Sequence, residues 1–337
     1  MALALEVIQP HPTWDILDSS KLTTYMECPR KFFYRYMLGW RPDWPNNHLI
    51  FGSAWHLAME HLLINGHSNE SVAEAQILCG EFYRKYFPPD TDELYEPKTL
   101  LNAFSSIEDY AKHYAPEERE YEVLYTELAG LVLVSPERTM VFKCDAILRD
   151  LVTGAICGRD HKTSQRRYNN WGEHWILSTQ MLTYLHALYC LYPDSETLKM
   201  WVRCSFFYSI QKKTGLYRPT EFADHPIDKS LSQMETWLTN INTYIDQLDD
   251  DMRVLQQQTT DDYVMQAFPM RTTSCFNYGR QCEFFDFCNA WSNPITRCEQ
   301  TPIGFNVEWW DPMARPEIRT KLNLATQSGE PVEMDGE

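Results

Sequence analysis

The sequence predicts an α/β fold, a small mixed sheet flanked by helices, with helical segments at both chain ends joined through a cysteine cluster. Three observations predict it. The hydrophobic period is helical up to about residue 116 and then becomes strand-like, in the order strand–strand–strand–helix–strand. Acidic residues and a lysine, Asp145 and Asp160-His161-Lys162, fall near the ends of two of those strands. Cys28 stands near the start of the chain and Cys275, Cys282 and Cys288 run close together near its end.

Residues 1–18 read as an irregular lead-in. A helix opens at Ser19-Ser20-Lys21-Leu22, with serine as its N-cap, and runs through Met26 and Phe33 toward Met37. Pro29 inside it predicts a break or kink just after Cys28, which presents that thiol at a helix end. Phe51–Ile64, opened by Gly52 and carrying His56, is a second helix. Val72–Phe87, closed by Pro88-Pro89, and Leu100–Tyr114 are two more. Tyr121–Val134 and Thr139–Arg149 are rich in β-branched and aromatic residues and fit adjacent strands, followed by a shorter strand over Ala155–Thr163. Glu173–Leu191 predicts a helix, Met200–Ile210 and Tyr217–Phe222 predict strands, and Leu231–Gln257 predicts a long helix with an acidic end. Residues 268–291 form a cysteine-rich loop, and everything after about Glu317 reads as a flexible tail.

At 337 residues, 44% of them hydrophobic and 23% charged, the chain is long enough for a sizeable core and is not of disordered composition. Its start has no cationic, apolar leader, and no segment approaches a membrane span, so the reading is cytoplasmic with no membrane partner. In such a compartment thiols stay reduced and clustered cysteines more often bind metal than form disulfides. No phosphate loop and no dinucleotide fingerprint occurs, which argues against a built-in ATPase motor. The net charge of −17 counts against nucleic acid. That objection is partial, because basic residues gather in Arg30–Arg41, Arg166-Arg167 and Lys212-Lys213 while acidic runs such as Asp246–Asp251 lie elsewhere. The aromatics of Phe32–Trp40 and Trp171–Trp175 are either core or platforms for unpaired bases.

Asp160 and Lys162, two apart on a strand, project to one face, and an antiparallel neighbour would bring Asp145 beside them. Hard divalent cations such as Mg2+ or Mn2+ take oxygen ligands, and the two carboxylates with the backbone carbonyl of His161 would supply three. Lys162 would orient or help deprotonate a water for attack on phosphorus. Asp and Lys at this spacing are also a common surface ion pair, and His56, or Gln180 and Tyr184 one turn apart on the next helix, are individually ordinary.

Taken together and in order, these residues resemble the PD-(D/E)XK nuclease superfamily, in particular the RecB-like exonuclease branch with an iron–sulfur cluster: the AddB-type nuclease domain, the CRISPR-associated adaptation exonucleases and their phage-borne relatives. The resemblance covers nearly the whole chain. Ser20-Lys21-Leu22, Tyr25 and Cys28-Pro29-Arg30-Lys31-Phe32 look like the family's opening segment. Gly52–His56 matches G-x-x-x-H, whose histidine is a metal ligand. Asp145 takes the place of the first metal carboxylate, Asp160–Thr163 matches D-x-K-T, and Gln180-x-x-x-Tyr184 matches the Q-x-x-x-Y helix. Phe142 stands where the family has glycine, Arg159 precedes the motif Asp, and the gap from Cys275 to Cys282 is wider than in the CRISPR-associated members.

The resemblance implies a restriction-endonuclease-like sheet and these divisions: lead-in 1–18, N-terminal helical segment 19–116, nuclease core 117–225, helical region and cysteine cluster 226–292, and a partly flexible tail 293–337. It implies metal-dependent hydrolysis of DNA, single-stranded or with free ends, in recombination, repair or processing. His56, Asp145, Asp160 and His161 would bind Mg2+ or Mn2+, with Lys162, Gln180 and Tyr184 completing the site and Glu127 as a further group behind it. Cys28, Cys275, Cys282 and Cys288 would hold a 4Fe–4S cluster that staples the chain ends. Read from spacing alone, those four thiols also allow a structural zinc or buried free cysteines. A helicase, recombination or integrase partner is implied as well, and the alternative function is a DNA-end-binding or adaptor subunit with little activity alone.

Overall fold

A computed structural model of the chain describes residues 2–195, 198–211, 213–216, 218–277 and 279–325. In chain order the elements are α1 (Ala4–Val7), α2 (Ser19–Glu27), α3 (Pro29–Phe32), β1 (Trp40–Pro42), α4 (Asn47–Asn65), α5 (Asn69–Arg84), α6 (Leu100–Glu118), β2 (Tyr121–Ser135), β3 (Arg138–Asp150), β4 (Ile156–Ser164), α7 (Thr179–Leu191), β5 (Leu198–Phe206), β6 (Glu221–Ile227), α8 (Leu231–Gln257), β7 (Phe276–Asn277), β8 (Arg280–Gln281), α9 (Phe285–Ala290), β9 (Phe305–Val307) and β10 (Thr320–Leu324). Two compact units result. Met1–Trp44, Leu131–Val141 and Leu231–Pro316 make up one, the cysteine unit. Pro45–Gly130, Phe142–Ser230 and Glu317–Glu337 make up the other, the sheet unit.

The sheet unit carries a six-stranded mixed sheet in the order β10-β2-β3-β4-β5-β6. β3 and β4 are antiparallel, β4 and β5 parallel, β5 and β6 antiparallel. The parallel pair needs a crossover, and α7 supplies it. Helices α4, α5 and α6 build a core around Trp55, which meets Phe207 and Tyr110 edge-on. Their starts are set by caps: Asn46, Ser68 and Thr99 each accept a backbone N–H of the first turn. Gly66, at φ +80, ends α4.

The cysteine unit packs aromatic side chains. Phe33 and Tyr34 are fully buried, Tyr34 stacks on Trp40 with centroids 5.6 Å apart, and Phe287 stacks on Trp291 at 4.5 Å. Such pairs add about 0.5–1.5 kcal/mol each beyond the area they bury. The aromatics of Phe32–Trp40 are therefore core. Among the described residues no helix is long and apolar enough to cross a membrane.

Several elements differ from the sequence expectation. The lead-in contains α1 and a 3-10 turn at Pro12–Asp15. The cap of α2 is Asp18, whose side chain accepts from Lys21 N–H at 2.8 Å, rather than a serine. α4 starts ahead of Phe51, because Asn46 caps it. Glu173–Trp175 is a separate 3-10 turn, and α7 opens only after Ser178 takes extended backbone. β5 ends at Phe206, opposite Ser164 where its partner β4 ends, and not at Ile210. The next strand is Glu221–Ile227 rather than one beginning at Tyr217, which lies outside the described residues. It contains Pro226, which an edge strand tolerates. The segment after Glu317 is not all tail: Thr320–Leu324 is β10, an edge of the main sheet. Gly130 makes this pairing feasible, since a Cβ there would overlap the carbonyl of Leu322 and the ring of Phe142. The rest of the expected tail, 326–337, lies outside the described residues.

Candidate active site

The expected break at Pro29 and the expected hairpin of strands place two different sets of residues, one in each unit. In the sheet unit, Asp145 follows directly beyond the last registered pair of β3 and β4, Ala146 opposite Arg159. Its Oδ2 accepts the backbone N–H of His161 at 2.7 Å and lies 3.3 Å from His56 Nδ1 on α4. Glu127 of β2 joins them: one donor atom each of His56, Glu127 and Asp145 lies within 4.8 Å of the others, the only such group among the described residues. Glu127 reaches this position with φ +44, a left-handed backbone rare for a side chain with a Cβ. Lys143 Nζ approaches its Oε2 at 2.7 Å and Glu317 at 2.9 Å.

On β4, Asp160 is 1% exposed, and its Oδ2 is approached by Lys162 Nζ at 2.7 Å. Lys162 donates to Gln180 Oε1 at 3.0 Å, and Gln180 Nε2 donates to Tyr184 OH at 2.7 Å and reaches Asp160 Oδ1 at 3.5 Å. The i, i+4 pair on α7 thus fixes the lysine's direction. Lys98 holds the end of the same strand, donating to Thr163 Oγ1 at 2.7 Å. Arg159 and His161 belong to the opposite face of β4. Arg159 shares Glu118 Oε1 with Arg203, each at 2.5 Å, so the residue that departs from the family pattern is the buried cation of a network behind the site. The imidazole of His161 is buried near Tyr110 and His56, and it is the backbone N–H of His161 that serves Asp145.

Electrostatics follow from burial in one polarised group. Burial disfavours a charged His56, but Asp145 and, more weakly, Glu127 and Asp160 outweigh it and raise the imidazole to about 9. Burial pushes Asp145 up, and His56, His161 and Lys162 pull it well below the usual carboxylate range. Burial, with Asp145 adding, lifts Glu127 to about 7, and burial lifts Asp160 to about 6 against the pull of Lys162. Lys162 is raised: burial opposes its charge and Asp160 and Asp145 win. Two carboxylate oxygens, Asp160 Oδ2 and Glu127 Oε2, have ion-pair neighbours but no well-directed hydrogen bond. The carboxylates of Asp145 and Glu127 and the imidazole of His56, meeting within 4.8 Å, fit a divalent cation, which would displace the proton His56 holds, and His56 and Asp145, 29% and 11% exposed, leave the group reachable.

In the cysteine unit, Cys28 sits in extended backbone between α2 and α3, and its Sγ accepts the N–H of Arg271 at 3.4 Å. β7 and β8 form a small hairpin whose flanks are Cys275 and Cys282, with Cys282 N–H donating to the carbonyl of Cys275 at 2.8 Å. Cys288 lies on α9. All four line one small cavity, together with Lys31 and Phe284. Burial pushes the Cys288 thiol up to about 12, so its thiolate form needs a cation to offset it. Cys298 is elsewhere, its Sγ bonded to the carbonyl of Pro294 at 3.1 Å.

The basic run Arg30–Arg41 is not an open cationic strip. Arg30 is buried and donates to the carbonyls of Phe268 and Met265, Arg35 pairs with Glu283, and Arg41 lies over Tyr36 and Trp310. Sequence reasoning left Glu127 in the background and missed Lys98 and Lys143. Glu127 alone carried a signal, an acid in an otherwise apolar strand stretch.

No curated protein matches the chain significantly. The model of the PD-(D/E)XK nuclease superfamily matches residues 19–289, a span containing His56, Glu127, Asp145, Asp160, Lys162, Gln180, Tyr184 and all four cavity cysteines. Nucleases of this superfamily use divalent metals such as Mg2+ or Mn2+. With its six-stranded mixed sheet, its helical flanks and a match over most of its length, the chain belongs to the PD-(D/E)XK nuclease superfamily.

Proposed function

We propose that the protein is a metal-dependent deoxyribonuclease that degrades single-stranded DNA from its ends, in the RecB-like manner, and that a 4Fe–4S cluster on Cys28, Cys275, Cys282 and Cys288 holds its cysteine unit together. The observation that carries the nuclease reading is the meeting of His56, Glu127 and Asp145 at one point, with the Asp160–Lys162 ion pair of β4 near enough to act on His56 and Asp145 electrostatically. Binding without cutting has no physical need for a lysine aligned by Gln180 against a buried carboxylate. His56, Glu127, Asp145 and Asp160 are the metal donors in this reading, with the His161 carbonyl as a further oxygen. The cation supplies charge stabilisation of the phosphoryl oxygens and acidifies a water. Lys162, held charged between Asp160 and Gln180, would donate to the attacking water and orient it toward phosphorus. Trp175, whose ring centroid lies 5.5 Å from Lys162 Nζ, gives a face on which an unpaired base stacks.

The cluster reading is supported by the shared cavity and by the N–H directed at Cys28 Sγ. One tetrahedral zinc would draw sulfurs to about 3.8 Å of each other. Among the described residues no three cysteines approach that closely. The acidic surface and the lack of a phosphate loop favour work alongside a helicase or integrase, with DNA-end binding as the rival role. The test is anaerobic purification, visible spectrum and iron content, then end-labelled single-stranded DNA with Mn2+. About four irons per chain and metal-dependent cutting are expected. Asp160→Ala and Lys162→Ala proteins that cut as fast as wild type would overturn the nuclease assignment.

A further inference from the structure

Beyond the ends of β4 and β5 and at the start of β6 an open pocket of about 480 Å³ is lined by Arg167, Tyr168, Asn169, Tyr208, Arg218 and Glu221. Arg167 is the fifth residue after Lys162, so at most about 18 Å of chain separates the two. The pocket's side chains carry two cations against one anion, in a chain whose net charge is −17.

Its groups are ordered. The Arg218 guanidinium lies over the Tyr208 ring at 4.0 Å, and Arg167 over Phe206 at 5.7 Å. Both arginines pair with Glu221, Arg167 at 3.4 Å, and the Tyr208 hydroxyl donates to the same carboxylate at 2.9 Å. Arg167, Arg218 and Glu221 are 43%, 50% and 34% exposed, and ion pairs so wet are worth about 0–1 kcal/mol. A phosphodiester, which takes guanidinium groups in two-pronged fashion, would displace Glu221 at little cost. Tyr168, 56% exposed, offers a ring face, and Asn169 beside it offers an amide to a base edge.

We propose that this pocket binds one nucleotide of single-stranded DNA, its phosphate between Arg167 and Arg218 and its base on Tyr168. Glu221 is a built-in competitor that keeps the arginines paired when no strand is present. The inference rests on the nuclease reading and adds where the strand passes away from the metal donors.

The experiment is fluorescence anisotropy of labelled oligothymidylate in EDTA, across a salt series, with the full chain. Arg167→Gln/Arg218→Gln is expected to weaken binding about tenfold and to make the slope of log affinity against log salt shallower by about 0.7, the share of one neutralised phosphate on a single strand. Glu221→Gln is expected to bind several-fold more tightly, whereas a carboxylate that merely scaffolds the arginines gives weaker binding when removed. Unchanged affinity and salt slope in the double variant, or weaker binding by Glu221→Gln, overturns the pocket assignment and leaves the nuclease reading intact. Wild-type protein that neither binds the oligonucleotide in EDTA nor cuts it with Mn2+ defeats the nuclease reading itself. Thymidine monophosphate should compete only at millimolar concentration; competition at micromolar concentration makes this a free-nucleotide site and overturns the strand assignment.

Discussion

Glu127→Gln separates stability from metal binding. Glu127 is 3% exposed, and burial, with Asp145 adding, moves its carboxyl from 4.5 to about 7. That displacement corresponds to about 3 kcal/mol. The folded state holds the proton more tightly than the unfolded chain, so stability falls as pH rises from about 4.5 to about 7 and stays lost above it. Glutamine removes the ionisation: it should gain nothing below about pH 4.5 and the full amount above about 7. His56 draws part of its charge from Glu127, so some stabilisation of the imidazolium goes with it. The net expectation is a gain of about 1–3 kcal/mol at pH 8 in EDTA, and a much smaller one at pH 5. Lys143 keeps Glu317 as partner, which avoids a stranded cation. With Mn2+ the order should reverse. Wild type gains stability by mass action as the ion fills the site, and the variant, short of one donor oxygen, gains little at the same concentration. Denaturant unfolding at pH 5 and 8, with EDTA and with Mn2+, reads all four corners. Loss of stability at pH 8 in EDTA, or an undiminished response to Mn2+, would refute the placement of Glu127 among the metal donors.

Three further outcomes follow from the same geometry. Cys28→Ser, Cys275→Ser, Cys282→Ser and Cys288→Ser should each lose visible absorbance and iron, whereas Cys298→Ser should keep both, because its thiol faces the Pro294 carbonyl; iron analysis decides. Lys162→Ala should lower single-turnover cleavage by about 10²–10⁴ while retaining stabilisation by Mn2+, and Gln180→Ala should cost less, since Asp160 still holds the lysine. Gly130→Ala should cost about 1–3 kcal/mol and speed hydrogen exchange over Thr320–Leu324, because the new Cβ meets the Leu322 carbonyl that β10 brings in.

What the sequence made legible was local. Asp160 and Lys162 share a face because a strand alternates, and Asp145 meets them because adjacent strands formed a hairpin and a neighbour; both follow from spacing. His56, Gln180 and Tyr184 were readable from helical period. What stayed hidden depends on backbone or partners remote in sequence. Glu127 stands out as an acid in an apolar strand stretch, but the φ of +44 it adopts beside His56 and Asp145 is not written in that pattern. β10 is short and polar, and its place beside β2 is set by the absence of a side chain at Gly130, far earlier in the chain. Arg159 looked like a departure from the motif, yet it is buried because Glu118 at the end of α6 and Arg203 on the parallel strand meet it there. The aromatics of Phe32–Trp40 carried the opposite ambiguity: composition fits base stacking and core equally, and burial by α8 and α9 neighbours decides for core. The front of β4 could therefore be read from one stretch of sequence, while the back of the same strand required the fold. Any substitution that disturbs Arg159, Glu118 or Arg203 should reach Asp160 and Lys162 through β4 itself, since alternate residues of one strand cannot shift independently.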